Sequence, residues 1–378
     1  MMRVPRPAVA AVVSFAATLA AFSPAGATDI PGPLAAFQDE LSAYTLRAPG
    51  HVAIAVEDVA TGLLTGVNAT AEMPAASTIK IPVMVEVFRQ LVAGRFDLNT
   101  RRTLLASDKD WGSGDLCAAP AGSTYTVSHL LSVMIDDSDN TATNMLIRLV
   151  GRQNINATML RLGLTHTRLN DFIRSNGPIR WALRSTPADM THLLTVMAKD
   201  RLIDEWSSRE MIRILAADRI NTLLPVPLPP GTTIAHKTGS LHDTLNDVGI
   251  VYPSDEQPYV IAVMTTDLSS LSAGRSFIHG VSRMAYSALS EFESWRVETG
   301  FDPLGALPEG TQPDETGATA ATPASTPAMV QSPDKAMWTP VKSEPAIAPG
   351  AAPAQQAAPN RALPAQPAAA PTDTPTGY

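Results

Sequence analysis

The spacing of apolar positions divides the chain into two kinds of segment. Leu34, Phe37, Leu41 and Tyr44 recur at helical intervals after the turn signal Pro31-Gly32-Pro33 and predict a first helix. Residues 51–57 alternate, Thr61-Gly62 reads as a turn, and residues 63–67 resume, which gives two consecutive strands. Three further strands are expected over residues 233–238, 247–252 and 259–265. Phe277, Val281, Met284, Ala288, Phe292 and Trp295 then form one face of a long C-terminal helix. Between these ends, residues 84–91, 127–135, 144–149, 154–162, 187–197 and 204–216 all carry apolar residues at helical spacing. Strands thus come from both ends of the domain. The pattern predicts an α+β fold in which an antiparallel or mixed sheet, flanked by the first and last helices, carries an inserted all-helical lobe over about residues 78–230.

The two termini read differently. Arg3 and Arg6, an apolar run from Ala8 to Phe22 and Ala25-Gly26-Ala27 have the layout of a signal peptide over residues 1–27, with a mature start near Thr28. The run is short of the ~20 apolar residues that span a bilayer, so an exported protein, periplasmic or secreted, is expected. Residues 301–378 are rich in Ala, Pro, Thr and Gln and lack apolar periodicity, which predicts a disordered or polyproline-like tail with cell-wall contact as its suggested use. Residues 28–300 are left as the folded domain.

Composition removes several classes of function. The net charge of -8 and the lack of a basic tract argue against nucleic acid as a partner. Cys117 is the single cysteine and is expected to be a small buried residue, so no intrachain disulfide stabilises the domain. The seven histidines show no metal-ligand spacing, and no metal or other cofactor is expected. The expected state is a monomer acting on a small molecule.

Three motifs carry the candidate chemistry: Ser77-Thr-Ile-Lys80, Ser138-Asp-Asn140 and Lys237-Thr-Gly239. A serine hydroxyl needs a base within reach, and Ser77 precedes an apolar helical run that sets Lys80 one turn away on the same face. Lysine is a base only when neutral, which requires burial or nearby positive charge. Pro82, placed in the second turn, would remove a helix hydrogen bond. Ser138, Asp139 and Asn140 end one helical segment and are competent to cap the next. Lys237, Thr238 and Gly239 end a strand-like run, with Lys237 and Gly239 on one face and Gly239 leaving room for a substrate backbone.

In this order and context the motifs resemble the signature of the class A β-lactamases and penicillin-binding proteins, the penicillin-recognising serine enzymes. The resemblance implies the β-lactamase/transpeptidase-like fold, with the site between two lobes. It implies that Ser77 is the nucleophile and that Lys80 and Ser138 relay protons to the leaving nitrogen. Asn140 would hold Lys80 and bind the substrate amide, and Lys237 and Thr238 would bind the substrate carboxylate. The backbone N–H groups of Ser77 and Ser240 would form the oxyanion hole, usually the largest electrostatic contribution in acyl transfer. The implied partners are β-lactams or peptidoglycan stem peptides ending in D-Ala-D-Ala.

The chain departs from the class A pattern in one loop. Class A enzymes hydrolyse the acyl-enzyme with a glutamate in an Ω-shaped loop, here residues 167–187. No glutamate occurs from residue 87 through 204, and alignment on Thr167-Arg-Leu169 places Ile173 at the glutamate's position. Asp171 and Asn170 are the available surrogates. The arginine that often follows Lys-Thr-Gly is also missing, with Arg275 the nearest later candidate. The pattern is similar to class A-shaped D,D-peptidases, in which deacylation is expected to be slow. Two other readings share the fold: a catalytically silent wall-binding protein, distinguished by failure to label Ser77 with a penicillin, and an esterase or amidase.

Overall fold

The computed structural model describes residues 32–175, 181–254 and 256–303. The apolar run of residues 8–22, the signal-peptide reading and nearly all of the predicted tail lie outside the described residues. Helix α1 (Gly32–Thr45) buries Leu34, Phe37 and Leu41, as its spacing predicts. It leads into β1 (His51–Asp58) and β2 (Leu64–Val67). After the short β3 (Met73–Pro74) the chain enters α2 (Lys80–Val92). Then follow β4 (Arg101–Thr103), β5 (Thr124–Thr126), α3 (Val127–Asp136), α4 (Asn140–Val150) and α5 (Arg152–Arg161). Next come β6 (Arg168–Leu169), β7 (Leu183–Ser185), α6 (Pro187–Ala198) and α7 (Glu205–Leu215). The chain returns through β8 (Thr233–Leu241), β9 (Thr244–Tyr252) and β10 (Tyr259–Thr266) to α8 (Leu271–Thr299).

The five-stranded sheet has the order β2-β1-β10-β9-β8, and every pairing in it is antiparallel. The first strand pairs with the last, so both ends of the chain are needed to close it. Along β10 all eight residues are buried, because both faces are covered. Val260, Ala262 and Met264 pack toward α2–α7, while Tyr259, Ile261 and Val263 pack with Leu34, Phe37, Phe277 and Phe292 of the flanking helices. Strand period 2 therefore sorts one strand between two cores.

The inserted segment departs from its reading as all helix. Besides α2–α7, the described residues between 73 and 215 hold the ribbon β4–β5 and the small sheet β3-β7-β6. These strands are two or three residues long, too short to express an alternating pattern. Pro82 also sits differently: α2 begins at Lys80, so the proline lies in the first turn, where its missing N–H lacks an intrahelical partner in any case.

Candidate active site

Ser77 lies in the 3-10 turn Ala76–Ile79, which runs directly into α2 at Lys80. The turn is held from several directions. Ala76 adopts φ +48°, a left-handed geometry that a β-carbon disfavours. Asn246 on β9 donates to the carbonyl oxygens of Pro74 at 2.7 Å and Ala75 at 3.2 Å, and its own Oδ1 accepts from the Thr265 N–H. Gly239 is paired in register with Asn246 and lies flat against the turn. A β-carbon at Gly239 would stand 3.0 Å from the Ala75 carbonyl oxygen and 3.1 Å from the Ser77 nitrogen. The bare backbone expected to admit a substrate at Gly239 is met on this side by the turn that carries Ser77. The exposed Ser240 follows directly, so the Ser77 and Ser240 backbones flank this contact. Strand β8 continues through Leu241, so Lys237-Thr238-Gly239 lies inside the strand rather than at its end.

Lys80 is fully buried. It donates to the Ser138 carbonyl oxygen at 2.5 Å, to Ser138 Oγ at 2.9 Å and to Asn140 Oδ1 at 2.9 Å. The three donors of its ammonium form are thereby matched, and none of these bonds goes to the half-buried Ser77. Burial first, and the neighbouring Lys237 charge second, push the Lys80 amine well below the ordinary lysine range. Ser138 is itself left-handed, at φ +52°. Asp139 caps α4 by accepting from the Ala142 N–H at 2.7 Å, and it also accepts from the Leu116 N–H at 2.9 Å. Asn140, the first residue of α4, turns its Nδ2 to Asp110 Oδ1 at 2.7 Å.

Lys237 is also fully buried, and its Nζ is paired with the buried Asp218 at 3.3 Å. Burial lowers its pKa, and Asp218 opposes that shift. Sequence reasoning gave Lys237 to a substrate carboxylate, but its charge already has a protein partner nineteen residues upstream. Thr238 is buried beside it, and Ser240 is exposed. On the same strand His236 donates from Nδ1 to Asp247 at 2.8 Å and faces Asn221 Oδ1 with Nε2 at 2.9 Å.

The loop places Ile173 against the core, 7 % exposed. Its backbone is held by Asn144, whose Oδ1 accepts from the Ile173 N–H at 2.8 Å and whose Nδ2 donates to the Ile173 carbonyl at 3.0 Å. Neither suggested surrogate joins the lysine cluster. Asp171 is exposed, accepts from the Phe172 N–H and faces Arg152 at 3.6 Å, while Asn170 is exposed at the end of the β6–β7 pairing. Arg275 is exposed in the early turns of α8. Asp110, Asn144, Asp218 and Asn246 were not singled out by sequence reasoning. Only Asn144, four residues into the helix opened by Ser138-Asp-Asn140, carried a signal that could have found it.

A buried lysine of depressed basicity, hydrogen-bonded to a serine and set one turn from an accessible serine, is equipped for acyl transfer. Known proteins place the chain among its relatives. Residues 36–289 match the model described as the beta-lactamase enzyme family. A β-lactamase of Streptomyces lavendulae is 28% identical over 254 residues, which cover 65% of this chain and 81% of that protein. The solved structure of PBP-A is similar with a TM-score of 0.64 at 29% identity, covering 69% of this chain and 97% of that one. A second PBP-A structure is a leucine-to-glutamate variant in an acyl-enzyme complex with penicillin G. A β-lactamase from Sphaerobacter thermophilus is similar with a TM-score of 0.62 at 31% identity, covering 68% of this chain and 97% of that one. With the match running from α1 to α8 and two of its three motifs joined by hydrogen bonds at one buried lysine, the chain belongs to the beta-lactamase enzyme family and is a serine hydrolase.

Proposed function

We propose that Ser77 is acylated by β-lactams or by D-Ala-D-Ala-type peptides and that the β-lactam acyl-enzyme hydrolyses slowly, so that the chain works as a D,D-peptidase-like penicillin-binding enzyme. Neutral Lys80 takes the Ser77 proton as Oγ attacks the substrate carbonyl. Ser138, hydrogen-bonded to Lys80, passes a proton to the leaving nitrogen. The backbone N–H groups of Ser77 and Ser240 receive the oxyanion. Asn140 binds the substrate amide with the N–H that Asp110 leaves free. The substrate carboxylate meets the Thr238 and Ser240 hydroxyls, with the Asp218-paired Lys237 behind them. Export, and wall contact through the region after residue 303, are proposed from the sequence signals at the two ends.

The observation that carries slow deacylation is Ile173. A buried apolar side chain, pinned by Asn144, stands where the resemblance puts a general base. Losing such a base costs about 10²–10⁴ in rate, or about 3–5 kcal/mol of barrier. The penicillin G acyl-enzyme of a PBP-A variant supports the acylation half of this reading. Stopped-flow mixing with excess nitrocefin tests it. A burst close to stoichiometric with enzyme followed by slow turnover is expected, and rapid linear hydrolysis without a burst overturns the reading.

A further inference from the structure

Asp110 is buried and, among the described residues, has no ion pair, yet its carboxylate accepts from four donors. Oδ1 accepts from Asn140 Nδ2 at 2.7 Å, from the Gly112 N–H at 3.0 Å and from Ser175 Oγ in a short bond; Oδ2 accepts from the Ser175 N–H at 2.7 Å. Its backbone N–H donates to Thr141 Oγ1, one residue beyond Asn140. Burial alone would raise the Asp110 pKa; the bonds from Ser175, Asn140 and Gly112 outweigh it and hold the carboxyl below its usual range. The packing leaves no slack, since a β-carbon at Gly112 would strike the Ser175 side chain and lie 3.1 Å from Asn140 Nδ2.

An asparagine amide has one oxygen and two N–H bonds to place. At Asn140 the oxygen faces Lys80 and one N–H faces Asp110, which fixes the direction of the second N–H. We propose that Asp110 is a positioning residue for this site: by gripping Asn140 on one side and Ser175 of the loop on the other, it sets how Asn140 presents its free N–H to the acylamino carbonyl of a substrate. The substrate half of this inference rests on the function proposed above. Oδ1 already accepts three hydrogen bonds and Oδ2 is turned to the Ser175 backbone, so Asp110 is assigned to holding Asn140 rather than to deacylation. The arrangement favours substrates whose scissile carbonyl is preceded by an amide, as in acylaminopenicillins and peptides, over those with a free amine there.

The test compares acylation of the full chain by benzylpenicillin and by 6-aminopenicillanic acid, which lacks the acyl group. In Asp110→Ala the ratio of the two acylation rate constants should fall about tenfold from wild type, the scale of one hydrogen bond. Asp110→Asn keeps an oxygen for Asn140 but turns an amino group toward the Ser175 N–H, and should restore the ratio to within about threefold of wild type. Equal losses on both substrates, or an unchanged ratio in Asp110→Ala, overturn the proposal. A wild type that never labels at Ser77 defeats the proposed function separately. The positioning is then still read from the Asn140 side-chain amide protons by NMR. Their solvent exchange should be about tenfold faster in Asp110→Ala, on the same hydrogen-bond scale, and an unchanged rate overturns it.

Discussion

Asn144 grips Ile173 by both backbone groups, accepting from its N–H and donating to its carbonyl, so the loop is fixed at that residue although the side chain there offers no acid or base.

Ile173→Glu should therefore accelerate deacylation of a penicillin adduct by about 10²-fold. It should also lower stability by about 1–3 kcal/mol, since a carboxyl replaces a buried apolar side chain. Mass spectrometry of the adduct over time measures the first effect and thermal unfolding the second. An adduct that persists as in the parent would separate Ile173 from the deacylation side of the site.

Incubation with a penicillin should give one adduct, on the Ser77 peptide, and Ser77→Ala should give none. Lys80→Ala should abolish labelling while leaving the circular dichroism of the fold in place. A label that survives in Ser77→Ala would move the nucleophile elsewhere.

The pH profile of acylation should report Lys80. Its pKa is held down by burial and then by Lys237, so acylation should fall as pH drops through a value below the ordinary lysine range. Lys237→Ala removes a positive neighbour and unpairs the Asp218 carboxylate, and both changes favour the Lys80 ammonium. The acid limb should move to higher pH in that variant. A limb that stays in place would show that another group sets it.

His236 offers a pH effect on stability. Burial lowers its pKa, but Asp247 outweighs burial and raises it above the usual 6.5. A pKa raised on folding contributes stability that is fully present below pH 6.5 and is lost as pH rises through the folded value. The melting temperature should accordingly decline from pH 6 upward through that window. His236→Gln should remove the slope and cost about 1–3 kcal/mol at pH 6, where the buried Asp247 loses a charged donor. A slope that persists in the variant would assign it to other groups.

The parts of the molecule legible in the sequence are those set by local repetition. Leu34, Phe37 and Leu41 gave α1, the two ends of the chain gave the strands of the main sheet, and Ser77 and Lys80 gave a serine and a lysine one turn apart. What was hidden lies in pairings across long intervals. Nothing near Lys237 announces that Asp218 neutralises it, and nothing near Ala75 announces that Asn246 holds its turn from 171 residues away. Gly239 was legible as a position needing a bare backbone, but the neighbour that needs the space is known only once β8 is laid against Ser77.

Ala76 and Ser138 share a left-handed backbone, at φ +48° and +52°, and neither is glycine. Each is held out of its relaxed geometry at a cost of roughly 1 kcal/mol or more. One adjoins Ser77 and the other is the hydrogen-bond partner of the buried lysine. Such turns behave like cocked springs, and they stay cocked only while the sheet and helices on either side press on them. A slight loosening of the domain, well short of unfolding, should let both relax and shift Ser77 relative to Lys80. Catalytic competence is thus a finer gauge of the intact domain than its secondary structure, and it should fade first as the protein is warmed.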